Sequence, residues 1–141
     1  MKFYYLEPEV AGELGEKSIL DTSQHPPIVK KLHYIFSGWL GDDFLETFPC
    51  YIVTTQLSNE IKKENLTGVL FDTLEISKSI QFEEIYPDRK LPEFVWLKPI
   101  GKCCVDDFSI GNDNKIVVSE RALNIIKKYS INNCEIEIYN S

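Results

Sequence analysis

Histidine is scarce in this chain of 141 residues, with only His25 and His33, and that scarcity removes many catalytic and zinc-binding arrangements at once. The pair flanks a Pro-Pro bend, away from the i, i+4 spacing with which a helix presents two imidazoles to one zinc ion. Four cysteines, Cys50, Cys103, Cys104 and Cys134, include no Cys-x-x-Cys motif. In an extended strand the neighbours Cys103 and Cys104 point to opposite faces and make a poor shared chelate, so reduced, mostly buried thiols are expected. Glycine is thin, at seven residues. Gly12-Glu13-Leu14-Gly15 is too sparse for a phosphate cradle, and there is no Gly-x-Ser-x-Gly elbow to present a nucleophilic serine. No apolar stretch approaches the ~20 residues needed to cross a bilayer. The opening Met1-Lys2-Phe3-Tyr4-Tyr5-Leu6-Glu7-Pro8-Glu9 turns acidic before any secretory apolar run develops. These absences predict a cytoplasmic protein that is not an enzyme, with no metal centre, no cofactor and no membrane contact.

Acidic charge is plentiful. Twenty-two acidic against fifteen basic side chains leave a formal net charge of −7, which repels the phosphates of bare nucleic acid and favours a basic protein partner. Solubility alone accounts equally well for the same excess. With 43% hydrophobic residues and 12% aromatics, a chain of this size can bury about two-thirds of its unfolded surface and fold as one domain, 1–141, without staples.

The stretch around which the chain is organised runs from Asp106-Asp107-Phe108 to Tyr139, because the middle of the sequence carries a worn copy of it. A shift of 65 positions lays Val53-Thr54, Asn59, Ile61-Lys62-Lys63 and Leu66 on Val118-Ser119, Asn124, Ile126-Lys127-Lys128 and Ile131. In the same register Val69, Phe71 and Thr73 fall on Cys134, Ile136 and Ile138; with a one-residue slip upstream, Asp42-Asp43-Phe44 falls on Asp106-Asp107-Phe108. Each copy, about 39–76 and about 103–139, reads as an acidic turn, an apolar strand, a Thr or Ser helix start, a short helix and another strand. The period is too long and the copies too few for a solenoid, so one element is used twice inside one fold.

The remaining elements follow from local chemistry. Aromatic runs at 2–6, 32–36 and 94–97 predict strands, and 10–24, without periodicity, predicts a loop. Residues 69–76 read as one strand apolar on both faces and therefore central. Residues 77–86 suit a helix with Ile80, Ile85 and Phe82 inward, broken at Pro87. After Ser119, Ala122, Ile125, Ile126 and Tyr129 recur at helical spacing. Cys134 to Ile138 alternates strictly, as an antiparallel or edge strand with one dry face does. The expected class is α+β: one domain with a mixed, mostly antiparallel sheet, two or three short helices and an internal strand-helix-strand pseudo-repeat.

Candidate functional residues are few. Asp42-Asp43 and Asp106-Asp107 match no complete calcium loop or glycosidase pair. In one reading an aspartate of each pair bonds turn backbone while Phe44 or Phe108 anchors the turn. In the other, Asp42, Asp43, Asp106 and Asp107 present a negative contact surface to a basic partner. Trp39, flanked by glycine and aspartates, is the aromatic candidate for that interface, since such anchors carry much of the binding energy. A metal-dependent hydrolase using the two aspartate pairs is the alternative from a different class, and a regulatory subunit with an unrelated partner is a third.

Five phrases, Tyr4-Tyr5-Leu6-Glu7-Pro8-Glu9-Val10-Ala11-Gly12, His25-Pro26-Pro27-Ile28-Val29, Gly38-Trp39-Leu40-Gly41-Asp42-Asp43, Val105-Asp106-Asp107-Phe108 and Val117-Val118-Ser119-Glu120-Arg121-Ala122, together resemble a small bacterial family of polymorphic-toxin immunity proteins. The likeness covers nearly the whole chain and is of the type of immunity protein family eleven or family forty-three. The resemblance implies a cytoplasmic, non-catalytic protein that binds a cognate toxin domain and blocks it, and the negative charge biases that target towards a basic one such as a nuclease. It brings no catalytic residues and no contact motif with it.

Overall fold

The structure, a computed structural model, describes residues 2–139. In chain order its elements are β1 (Phe3–Glu7), β2 (Gly12–Leu14), β3 (Ile19–Asp21), β4 (Ile28–Lys31), β5 (His33–Phe36), β6 (Phe44–Thr47), β7 (Cys50–Thr54), α1 (Thr55–Lys63), β8 (Val69–Asp72), β9 (Glu75–Lys78), α2 (Ile80–Ile85), β10 (Phe94–Pro99), β11 (Phe108–Ile110), β12 (Ile116–Ser119), α3 (Glu120–Ile126) and β13 (Glu135–Ile138). Each helix starts behind a hydroxyl that accepts an otherwise unpaired backbone N–H: Thr54 from Leu57, Ser79 from Phe82 and Ser119 from Ala122. Among the described residues no helix is long and apolar enough to cross a membrane.

Two four-stranded antiparallel sheets, in the orders β6-β7-β10-β8 and β11-β12-β1-β13, carry the repeat. In each, a hairpin leads through a helix to a last strand, and a foreign strand is inserted between the strands that flank the helix. The registers agree residue by residue. Phe94 pairs with Thr54 and Leu97 with Phe71. Phe3 pairs with Ser119 and Leu6 with Ile136. Thus Phe3 and Leu6 occupy the places of Phe94 and Leu97, while Thr54 and Phe71 correspond to Ser119 and Ile136 at the 65-residue shift. The inserted strands are exchanged: β1, which precedes the first copy, completes the sheet of the second, and β10, which precedes the second, completes the sheet of the first. The fold is an α+β domain of the expected mixed, mostly antiparallel kind, with the internal strand-helix-strand pseudo-repeat.

The main core lies between the halves and is built largely of equivalent pairs: Phe44 with Phe108, Val53 with Val118, Leu57 with Ala122, Ile61 with Ile126, Leu6 with Leu97. Because strand side chains alternate, β7 sends Tyr51 and Val53 into this core and Cys50 and Ile52 into a second one. The second core is closed by a three-stranded sheet, β2-β5-β9, and by Phe82 of α2. The corresponding outer face of the other four-stranded sheet carries only a small cluster of Phe3, Val117 and Tyr139 with Tyr5 and Cys103 against it.

Several expectations are corrected. Residues 69–76 form two strands, because the Thr73 N–H turns back onto the Asp72 carboxylate at 2.8 Å. β8 is therefore an edge strand of one sheet, and β9 runs parallel to β5 in another. The loop at 10–24 contains β2 and β3, three residues each, which owe their shape to partners rather than to local pattern. Helix α2 turns only Phe82 inward, leaving Ile80 77% exposed and Ile85 exposed. Cys103-Cys104 lies in a turn, with Cys104 at φ 64°, so its side chains do not point to opposite faces of a strand. Cys104 is exposed, and only Cys50 of the four thiols is fully buried. The alternating strand β13 is antiparallel to β1 and sits at the edge, as its pattern predicts.

Candidate partner-binding cleft

The paired aspartates tie the two repeats together. Asp43 accepts the Thr54 hydroxyl at 2.8 Å and the Ser130 N–H at 2.8 Å. Asp107 accepts the Ser119 hydroxyl at 2.6 Å, the Thr67 N–H at 2.8 Å and the Arg121 guanidinium at 2.7 Å. Each thus holds the N-cap of its own helix and the loop that follows the helix of the other copy. Asp42, 1% exposed, accepts the N–H groups of Asn132 (3.1 Å) and Asn133 (2.8 Å) and the Asn133 amide at 3.1 Å. Asp106 accepts the Lys102 N–H at 2.7 Å.

Of the four aspartates expected at a contact surface, Asp42 and Asp107 are buried: a carboxylate is retained inside a fold when donors converge on it, and here the donors are loop ends; Asp43 and Asp106 are half-buried. Trp39 is half-buried as well. Its indole N–H donates to the Asp42 carbonyl at 2.9 Å, and the Arg89 guanidinium covers its ring at 4.8 Å from the centroid. Among the described residues no three His, Cys, Asp or Glu side chains form a metal-holding group. Buried His33 accepts the Lys17 N–H on Nδ1 at 3.3 Å, which leaves Nε2 to donate to the Ser77 hydroxyl at 2.8 Å.

Negative charge gathers elsewhere, in an open cleft of about 450 Å³ lined by Glu7, Glu46, Asp113, Lys115 and Glu135. β1 and β13 place Glu7 directly opposite Glu135, an arrangement of like charges that costs stability. β6 brings Glu46, and the turn between β11 and β12 brings Asp113 and Lys115. Lys115 pairs with Glu7 at 2.5 Å and reaches Asp113 at 3.8 Å, so the cleft's one ammonium group serves two of its four carboxylates. Burial first, and then the neighbouring Glu7, push the Glu46 carboxyl above its ordinary value. Val10 and Phe48, the latter 48% exposed, give the cleft an apolar margin.

The pseudo-symmetric groove in the other half has different chemistry. There Leu97, Lys98, Pro99 and Ile110 take the places of Leu6, Glu7, Pro8 and Glu46, and the chain's own Pro26-Pro27-Ile28-Val29 segment forms a wall. The acidic cleft has no such wall. Sequence reasoning missed Glu7, Glu46 and Glu135 because they come together only in the tertiary fold, Glu7 and Glu135 across β1 and β13 and Glu46 from β6; the one available signal was the alternation that put Glu135 on a wet face. In comparison with known proteins, the chain matches no protein-family model and no curated protein.

Proposed function

We propose that this chain is a binding module of the immunity type, acting in the cytoplasm, which neutralises a cognate toxin domain by covering it. A basic segment of the toxin, of the kind a nuclease presents to nucleic acid, sits in the acidic cleft. The observation that carries this reading is the convergence of four carboxylates on an open groove with one lysine and an exposed Phe48 at its margin. Charge of one sign steers a basic partner to the cleft, and an aromatic at the edge supplies apolar contact once it arrives. The formal charge of −7 adds to the steering, and the resemblance to polymorphic-toxin immunity proteins supplies the class of partner.

The test uses the toxin domain encoded beside the gene. Reversing two charges, Glu46→Lys with Glu135→Lys, is expected to weaken binding roughly a hundredfold, mainly through slower association that added salt mimics in the native protein. Acid weakens binding too, through Glu46, whose carboxyl is raised by burial and so takes up a proton at a higher pH than an ordinary glutamate. A host that stays fully sensitive to the toxin when the native chain is co-expressed sinks the proposal. Binding that is indifferent to both salt and the reversals removes the cleft from it.

A further inference from the structure

Residues 102–106 form a tight turn with a specific consequence for sulfur chemistry. Val105 and Asp106 both donate their N–H groups to the Lys102 carbonyl, at 3.1 and 3.0 Å, and the Asp106 carboxylate accepts the Lys102 N–H at 2.7 Å. Cys104 is in the left-handed region at φ 64°. The turn brings the Cys103 and Cys104 sulfurs to 3.6 Å from each other. Cys103 rests against the outer face of the β11-β12-β1-β13 sheet, in the cluster that contains Tyr139 and Val117. Beside it Ser109, 1% exposed, has a buried hydroxyl without a hydrogen-bond partner among the described residues.

We propose that Cys103 and Cys104 form an oxidisable vicinal dithiol whose substrate class is a hydroperoxide, with Cys103 as the attacking thiolate and Cys104 as the resolving thiol. In the first step the Cys103 sulfur attacks the terminal peroxide oxygen: a sulfur–oxygen bond forms, the oxygen–oxygen bond breaks, and the departing hydroxide, or the alkoxide of an organic hydroperoxide, takes a proton to leave as water or alcohol. In the second, Cys104 attacks the sulfenic sulfur; the sulfur–sulfur bond forms, the sulfur–oxygen bond breaks, and water leaves. Two thiols lose two electrons in all, and one peroxide gains them.

The surroundings of the four cysteines separate them by reactivity, because the thiolate is the nucleophile. Burial works against the Cys103 thiolate, but the neighbouring Tyr139 hydroxyl and Cys104 thiol outweigh it and hold this thiol below its ordinary value. Burial pushes Cys50 and Cys134 up to about 12, so both remain protonated. Tyr139, pushed up to about 12 chiefly by its bond to Cys103, stays a donor. Exposure of Cys104 opens the pair to solvent. A disulfide between adjacent residues closes a ring shorter than ordinary disulfide geometry allows, so it is reduced easily and the modification is reversible.

The experiment treats the full chain with one equivalent of hydrogen peroxide and maps its thiols. Two of the four thiols are expected to disappear into an intramolecular Cys103–Cys104 disulfide that dithiothreitol reverses. The Cys104→Ser chain is expected to yield a dimedone adduct on Cys103, and the Cys103→Ser chain none on Cys104. Tyr139→Phe should slow alkylation of Cys103 at neutral pH about fivefold, the factor for one hydrogen bond. The proposal is overturned if Cys50 and Cys134 oxidise as fast, if the disulfide links two copies of the chain, or if Cys104 forms the adduct as readily without Cys103.

Discussion

A chain lacking residues 2–8 is expected to show no cooperative unfolding transition, although both copies of the repeat remain in it. β1 is the middle strand between β12 and β13, with four residues paired on each side. Without it these two strands, which run parallel to each other, are separated by a gap of about two strand spacings, roughly 10 Å, and lose their ladder hydrogen bonds to β1. Buried Leu6 leaves the main core and Phe3 leaves the outer cluster. Truncating a single buried Leu typically costs about 2–5 kcal/mol, and the ladder loss adds to it, against a total stability of about 5–15 kcal/mol for a domain. Urea denaturation followed by circular dichroism measures the outcome. A peptide spanning residues 2–9 should restore the transition in a concentration-dependent way. An unchanged midpoint and slope in the shortened chain would refute the strand exchange between repeats.

The second large effect centres on Asp107, 7% exposed. Alanine at this position leaves the Ser119 hydroxyl and the Thr67 N–H without their acceptor and frees Arg121, a half-exposed side chain that solvent can stabilise. Three lost charge-assisted bonds, one of them to a solvent-exposed partner, and two orphaned donors predict a destabilisation of roughly 3 kcal/mol. The native protein should show the same interaction as an acid dependence. Desolvation raises the Asp107 carboxyl, but the bonds from Arg121, Ser119 and Thr67 more than reverse this and hold it at about 2, against an ordinary 3.8. A folded-state value below the unfolded one means that the charged form stabilises. The contribution, ~2 kcal/mol, is present in full above the unfolded value and is lost as pH falls from about 4 towards 2. The difference in urea midpoint between native and Asp107→Ala chains should therefore shrink by roughly half between pH 7 and pH 3. If the difference between the chains were the same at both pH values, the carboxylate would not be the source.

Both predictions rest on the repeat, which is legible in the order of residues because each copy keeps a local grammar: a helix-capping hydroxyl at Thr54 or Ser119, an aspartate ahead of Phe44 or Phe108, apolar strand residues at matching steps. Such signals act over a few residues and survive wherever the chain folds. Phe3-Tyr4-Tyr5-Leu6 also resembles Phe94-Val95-Trp96-Leu97, yet this likeness lies at a different shift, outside the copies, and only strand pairing shows that it belongs to the same symmetry.

The candidate site divides along the same line. Sequence alone located the aspartates and Trp39, but whether a carboxylate faces solvent or a cluster of N–H groups depends on which loop ends arrive beside it, and those of Asp42 come from residues ninety positions away. Local pattern also misled at Cys103-Cys104, where strand geometry was expected and a left-handed residue makes a turn instead.

By itself the sequence determined the α+β class, the duplicated strand-helix-strand unit, the helix starts at Thr54 and Ser119 and the excess of negative charge, because propensity, capping and periodicity are short-range effects written into neighbouring residues. The tertiary structure decided the exchange of β1 and β10 between the halves, the use of the aspartates as internal ties, the gathering of Glu7, Glu46 and Glu135 in one cleft and the meeting of two sulfurs. Each of these depends on which distant segments share a sheet or a turn, and that is settled by burial of the common core rather than by any local preference.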